Sequence, residues 1–290
     1  MLALAVSGVV GVVLAFKGFA YWAIVIQTLV LVTVLAAGYW FFSPWRPRLR
    51  WKSGPVREMF PFGIKVMVTN IAESFGTYLF SIVFGRYYTE KEVGLFGQAN
   101  KWNTMGYSII KGMVAGVSQP VLVEVNEQRN RQHRVFRKMV RFTAFISFPA
   151  MFGLAFIAPE FITVAITDKW AESARMMQVL CISGAFIPIS YLFSNLVLSL
   201  DRSSTYMWSS IALLAVQIGI TIVTYPLGIE AMVMAYALVY VFWLFVWFLL
   251  VRKDIGYTFL QLMADMLPFL GIAGIAVAAA FFATRGITSI

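Results

Sequence analysis

The sequence predicts an all-α fold, a polytopic transmembrane helical bundle of about nine spans, and three observations lead there. Hydrophobic residues make up 60% of the 290-residue chain and charged residues only 12%, about half the charge of an average globular domain. Apolar runs of membrane-crossing length recur from one end to the other, which a soluble core does not require. Lys and Arg concentrate in alternate connections, as they do when a chain crosses a bilayer repeatedly.

The spans follow in order. Residues 2–16 form a short first run, rising only about 22 Å against a ~30 Å hydrocarbon core. It lacks the basic flank and small-residue cleavage site of a secretory signal, and reads as a helix whose cytoplasmic end is missing. Residues 19–42 make a full second span after the Lys17-Gly18 break. A Pro- and Arg-rich stretch then precedes spans at 61–84, 95–123 and 140–158. The last four lie at 174–200, 205–225, 229–251 and 262–283, punctuated by Asp201-Arg202 and by Pro226 with Gly228. Pro149 and Pro188 fall inside apolar spans and are candidate kinks.

Charge sets the expected orientation. One alternate set of connections carries fourteen Lys and Arg, at Arg46, Arg48, Arg50, Lys52, Arg57, Arg129, Arg131, Arg134, Arg137, Lys138, Arg141, Arg202, Arg252 and Lys253. The other set carries six: Lys17, Arg86, Lys91, Lys169, Arg175 and Arg285. The basic set is expected on the cytoplasmic side, with the N-terminus. The net charge of +10 is then topological, aided by anionic lipid at the surface, and requires no nucleic acid. Cys181 stands alone in an apolar run, which excludes a disulfide framework within the chain. His133 is the sole histidine, so no metal site and no cofactor is expected. Walker-type loops and paired catalytic carboxylates are absent from the sequence, and the connections are short for a catalytic domain.

Two spans carry charge where lipid would reject it. At about 100° per residue, Lys101, Thr104, Ser108, Lys111, Ser118 and Gln119 fall on one side of the fourth span, with Trp102, Ile109, Ile110, Met113 and Val117 across from them. In the third span Lys65, Thr69, Glu73, Gly76 and Thr77 share a face. A charge at mid-bilayer costs about 2.5–3.5 kcal/mol on insertion scales, so these faces are expected to meet a wet cavity. The plainer alternative is interhelical pairing, with Lys65 and Lys101 snorkelling to the interfaces. Glu73 is expected to meet a lysine of the fourth span. Gly112 and Gly116 form a small-xxx-small pair suited to close packing. The aromatics at 39–42, with Trp243 and Trp247, are expected at the interface or facing lipid.

Three stretches carry a family resemblance: SGVVGVVLAFKGFAYWAIVIQ at 7–27, MFPFGIKVMVTNIAESFGTYLFSIVFGRYYTEKEVGLFGQANKW at 59–102, and FPAMFGLAFIAPEFITVAITDKW at 148–170. The order and spacing of "FGIK", "GRYYTEKEVGLFGQAN" and the FP…GL…AP block resemble the polysaccharide (O-antigen type) flippases of the multidrug/oligosaccharidyl-lipid/polysaccharide exporter superfamily. The resemblance implies two pseudo-symmetric lobes around a central cavity. Residues 1–42 would be the last two helices of the N-terminal lobe and 43–58 a basic cytoplasmic inter-lobe linker. Residues 59–251 would be a six-helix C-terminal lobe and 252–290 an accessory C-terminal helix. The first four or so helices of the family plan would lie outside this chain.

The implied activity is flipping of an undecaprenyl-pyrophosphate-linked oligosaccharide by alternating access in the bacterial inner membrane, for surface polysaccharide biosynthesis. Membrane lipid and polysaccharide assembly proteins would be the other partners. The implied substrate contacts are Lys65, Lys101, Lys111, Asn70 and Gln119, with the lysines attracting pyrophosphate and Glu73 serving as counter-ion or coupling site. Rival readings are a multidrug/cation antiporter of the same fold, a membrane glycosyltransferase or polysaccharide polymerase, and a non-transporting fragment. Three intramembrane lysines against one acid weigh against a cationic cargo, and short outer connections weigh against a polymerase.

Overall fold

The computed structural model describes residues 2–44 and 53–287, leaving aside the side chains of residues 20, 53, 55, 56, 58, 77–85 and 285–287. Arg46, Arg48, Arg50 and Lys52, and the side chains of Thr77 and Arg285, therefore lie outside what it describes. Among the described residues all regular structure is helical, and the chain divides into two units, residues 1–57 and 58–290.

The first unit is a helical hairpin of α1 (Leu2–Phe16) and α2 (Ala20–Phe42). Ala3, Ser7 and Gly11 recur every four residues and form the buried stripe of α1. A Cβ at Gly11 would stand 2.6 Å from Gln27 Oε1, so only glycine lets the Gln27 amide lie against α1. Gly18 turns the chain with φ +81°, a conformation that disfavours other residues. The Tyr39–Phe42 aromatics are exposed, as expected of a lipid-facing or interfacial cluster.

The second unit holds α3 (Ser53–Tyr87), whose first residues precede the unit boundary, α4 (Glu90–Glu124), α5 (Arg129–Phe156), α6 (Ala158–Ala165), α7 (Ser173–Ser199), α8 (Ser203–Thr224), α9 (Ile229–Ile255) and α10 (Phe259–Ile287). Among the described residues six helices are long and apolar enough to cross a membrane: α2, α5, α7, α8, α9 and α10. The 35-residue α3 and α4 carry the charged faces singled out above. The chain is a multi-pass membrane protein.

Helix α7 is the axis of this unit, packing against α4, α5 and α9 and burying most of its length. Small residues permit that approach. A Cβ at Gly184 would meet Asn103 Oδ1 at 2.4 Å and Met151 Cε at 2.6 Å, so α4 and α5 both press on α7 there. Polar pins reinforce the packing: Ser147 Oγ donates to the Ala185 carbonyl (2.7 Å), and Asn195 Nδ2 donates to Ser118 Oγ (2.7 Å). Such bonds add about 0.6 kcal/mol each between membrane helices. The close packing expected at Gly112 and Gly116 is instead at Gly106 and Gly184. No neighbouring atom among the described residues lies within 4 Å of a Cβ at 112 or 116.

The stretch 124–139, expected as a basic loop, is mostly helix. Arg131, Arg134, Lys138 and Arg141 fall on one exposed stripe of α5, and Gln132, Phe136 and Val140 on its buried face. Helical spacing was present, but the charge masked it. A Thr89/Glu92 capping box starts α4, and Gly256 (φ +68°) caps α9 in a left-handed turn.

The connections gather at two ends. At one, Arg202 pairs with Asp254 (2.5 Å), Arg129 donates to the Lys253 carbonyl, His133 Nδ1 lies 2.9 Å from the Ile255 carbonyl, and Asp265 of α10 meets Arg137 and Arg141 of α5. At the other, Lys91 pairs with Glu172 (2.8 Å), Arg175 with Glu230 (3.4 Å), and the Tyr88 hydroxyl donates to the Tyr225 carbonyl (2.8 Å). Within the second unit, each end collects described connections that the charge pattern assigned to one side.

Candidate functional site

A polar cavity of about 170 Å³ opens within the second unit, walled by α3, α4, α7, α8 and α9. Glu73 and Gly76 come from α3, Tyr107 and Lys111 from α4, and Ser190, Tyr191 and Ser194 from α7. Tyr206, Ser210 and Gln217 come from α8, and Tyr240, Trp243 and Trp247 from α9. The Tyr206 hydroxyl donates to Glu73 Oε1 (3.1 Å), and the Lys111 ammonium stands 4.5 Å from the centre of the Tyr191 ring. Tyr236 donates to the Tyr240 hydroxyl behind the wall (3.3 Å), and the Tyr206 and Trp247 rings lie 6.0 Å apart. Gly76 gives the Gln217 amide room, since a Cβ there would stand 3.1 Å from Gln217 Oε1.

The sequence candidates do not all converge. Glu73 and Lys111 line this cavity; Lys65, Asn70, Lys101 and Gln119 do not. Asn70 sits in a separate apolar groove with Phe62, Met67 and Phe75 on the surface of α3. Lys101 is exposed, its ammonium 5.7 Å from the ring of neighbouring Trp102, and Gln119 is exposed one residue from the buried Ser118. Glu73 accepts from a tyrosine of α8, and the ion pairs given among the described residues do not include the expected acid–lysine contact with α4. The reason is placement: at this level α3 reaches α8, at Glu73–Tyr206 and Gly76–Gln217.

Trp243 and Trp247, expected at the interface or facing lipid, line the cavity instead. Six aromatic side chains and Gln217 thus escaped the sequence reading. Aromatics on apolar helices read as lipid-facing by default. The available signal was Gln217, an uncharged amide within an otherwise apolar span, which a bilayer tolerates only when a partner or cavity receives it.

The fold is one that a solved membrane protein shares. The chain aligns with the solved lipid II flippase MurJ in its inward closed conformation at a TM-score of 0.66. Identity there is 14%, over 94% of this chain and 60% of that one. The family model of polysaccharide biosynthesis proteins matches residues 1–175, and the chain belongs to that family. Its relatives include the succinoglycan biosynthesis transport protein ExoT of Rhizobium meliloti, 22% identical over 72% of this chain and 42% of that protein. The teichuronic acid biosynthesis protein TuaB of Bacillus subtilis is 22% identical over 68% of this chain and 38% of its own. The lipopolysaccharide biosynthesis protein WzxC of Escherichia coli is 21% identical over 59% and 35%. The chain therefore spans about two fifths of the length of these curated relatives.

Proposed function

We propose that the chain serves in flipping a lipid-linked oligosaccharide across the bacterial plasma membrane by alternating access, for surface polysaccharide biosynthesis. The observation that carries this reading is the polar cavity held between α3, α4, α7, α8 and α9 inside an otherwise apolar lobe. A sugar-bearing head must cross ~30 Å of hydrocarbon, whereas its prenyl tail can stay in lipid. In this reading residues 1–42 close an N-terminal lobe, 43–58 link the lobes, 59–251 form the C-terminal lobe and 252–290 an accessory helix. The end bearing Arg129–Arg141, Arg202 and Arg252 faces the cytoplasm, as does the N-terminus. Labelling of a cysteine at position 130 from outside intact cells would reverse that orientation.

Glu73 and Lys111 are the charged contacts that the cavity offers the moving head group; Lys65, Asn70, Lys101 and Gln119 are candidates for other stations on its path. The test is leaflet accessibility of an undecaprenyl-pyrophosphate-linked oligosaccharide in proteoliposomes, normalised to folded protein. Lys111→Gln should slow flipping about tenfold, the worth of one charge-assisted contact, with Lys111→Arg retaining more. Parental rates in Lys111→Gln would remove this residue from the path.

A second reading has one observation behind it. Glu73 beside several aromatic rings is also what a lipophilic cation would bind, as in an antiporter. Lys111 in the same cavity opposes it, and tetraphenylphosphonium binding decides between them.

A further inference from the structure

A second concavity, separate from the polar cavity, lies between α4 and α5. It is a mostly apolar groove of about 100 Å³, formed by Val114 and Val117 of α4, Phe142 and Ile146 of α5, and Leu192 of α7 behind them. Val117 and Phe142 are exposed, so the groove opens outward from the unit. None of its lining residues belongs to the polar cavity.

Cations stand at one end of this groove. Arg131, Arg134 and Lys138 lie on the exposed stripe of α5 that leads into it. Lys138 precedes Phe142 by four residues, about 6 Å of rise and about 40° of turn, and Arg134 lies about one turn further along. The other basic residues of this stretch are already engaged: Arg137 and Arg141 hold Asp265, and Arg129 donates to the Lys253 carbonyl. Among the described residues Arg134 and Lys138 form no hydrogen bond or ion pair, and Arg131 has only a long 3.5 Å contact with Gln128. Like charges four residues apart on a helix disfavour it until an anion meets them. Two acids temper the mouth of the groove. Glu124 follows Val117 by about two turns on α4, and Glu127 lies in the turn beyond; both are exposed. Three cations against these two acids leave the mouth positive.

The occupant must satisfy both features at once. An apolar helix would fill the groove and leave the cations unmet, and a free phosphate would meet the cations and leave the groove empty. A lipid with an anionic head does both, and the depth is right for it. These cations lie at the end of the unit where Arg202 pairs with Asp254, and the groove runs from there along the apolar part of α5, a helix long enough to cross the membrane. Basic side chains at that level attract anionic headgroups, and their long stems reach along apolar surface to do so.

We propose that this groove and stripe form a discrete site for one anionic diacyl phospholipid, its phosphate against Arg134 and Lys138 with Arg131 beside them, and one acyl chain along Val117 and Phe142. The site differs from the diffuse attraction of a basic surface because the groove admits one lipid per chain. It requires only that α5 crosses the membrane, and does not rest on the flippase reading.

Native mass spectrometry of the 290-residue chain, released from detergent micelles, counts the lipids that stay bound. The probes are dioleoyl phosphatidylglycerol, phosphatidylethanolamine and phosphatidylcholine, with undecaprenyl phosphate as competitor. One phosphatidylglycerol should saturate ahead of any other lipid. Each cation near the surface is worth about fivefold in affinity, so Arg134→Gln and Lys138→Gln should each weaken that adduct about fivefold and leave phosphatidylcholine unchanged. Val117→Trp, which fills the groove from an exposed position, should abolish saturation at one lipid. Glu124→Gln should tighten phosphatidylglycerol by up to about fivefold. Arg252→Gln with Lys253→Gln removes two exposed cations from the same end and away from the groove. That variant should leave the adduct within about twofold. Both α5 cations are exposed and unpartnered, so the unfolding midpoint in lipid-free detergent should not change with either substitution.

An equal loss in the Arg252/Lys253 variant would reduce the effect to diffuse surface attraction and overturn the site. Preference for phosphatidylethanolamine, lost in Glu124→Gln, would make the ligand zwitterionic and refute the anionic head. Displacement of phosphatidylglycerol by less undecaprenyl phosphate would assign the groove to the prenyl carrier instead. Absence of any adduct that saturates at one lipid would leave no site. Flipping in proteoliposomes is read separately, and neither its presence nor its loss bears on the lipid count.

Discussion

Asp265 and Glu73 each face a tyrosine and have basic side chains nearby, yet the two carboxylates end in opposite states. Asp265 is wholly buried. Its oxygens accept from Arg137 Nε (2.7 Å) and Nη2 (2.8 Å), Arg141 Nε (2.6 Å) and the Tyr257 hydroxyl (3.0 Å). Tyr257 in turn is walled by Phe136, Phe193 and Phe248. Glu73 is exposed at a cavity, accepts from the Tyr206 hydroxyl of α8, and shares that cavity with a lysine turned onto an aromatic ring. An enclosed acid held by two guanidinium groups fastens two helices and has little left for a ligand. An acid open to a cavity can still meet one. Residue types alone do not separate a latch from a site; enclosure does.

The largest expected effect is on the latch. Asp265→Asn removes the anion that holds two guanidinium groups, and α10 packs chiefly on α5 through this contact and Phe145–Phe269. Removing one partner of a buried ion pair costs about 3–5 kcal/mol. Arg137 and Arg141 are 24% and 50% exposed, so water compensates part of that and the lower figure applies. Thermal unfolding of the purified protein should show a clearly lower midpoint, and proteolysis should open the α9–α10 connection. An unchanged midpoint and cleavage pattern would mean that Asp265 holds nothing.

Glu73→Gln should do the reverse. Its carboxylate has water available, so the unfolding midpoint should stay within the equivalent of about 1 kcal/mol, one ordinary hydrogen bond. Flipping should fall about tenfold, or lose its dependence on pH or ions if the acid couples transport. A destabilisation as large as that of Asp265→Asn would make Glu73 a second latch, and the contrast would disappear.

How far the sequence foretold this differs between the two clusters. Six of the nine expected spans are described helices long and apolar enough to cross a membrane; they were legible because apolar length and alternating charge are one-dimensional signals, and the shorter α1 spans the very residues assigned to it. Glu73 and Lys111 were legible because a charge deep in a span needs a cavity or partner. Which partner was not legible, because helical phase is set within each helix while neighbours are set by packing. Hence Glu73 accepts from Tyr206 of α8, and Trp243 and Trp247 turn inward. Asp265 was passed over because an acid near the start of an apolar span reads as interfacial. Its cue was Arg137 and Arg141, four residues apart and so on one helical face.

The smallest expected effects come from the two tyrosines, and their difference sharpens the comparison most. Tyr257→Phe removes one of the four bonds to Asp265 and leaves the two arginines in place. The site is buried, so no water replaces the hydroxyl, and the loss should be about 1 kcal/mol. Tyr206→Phe removes the described bond from α8 to Glu73, but the carboxylate can turn to water, so the loss should be a few tenths at most. The alkaline limb adds a second reading of Tyr257. Burial first, and the Asp265 carboxylate second, push its phenol well above the usual range. A raised folded-state pKa means stability present below the unfolded value, about 10, and lost as pH rises through the folded one. Tyr257→Phe should therefore lower the midpoint at neutral pH and lessen its decline above about pH 10, while Tyr206→Phe should leave the neutral-pH midpoint nearly unmoved. Equal neutral-pH losses for the two would show that Glu73 is as thoroughly enclosed as Asp265, and the cavity could not then be the open site that the other predictions require.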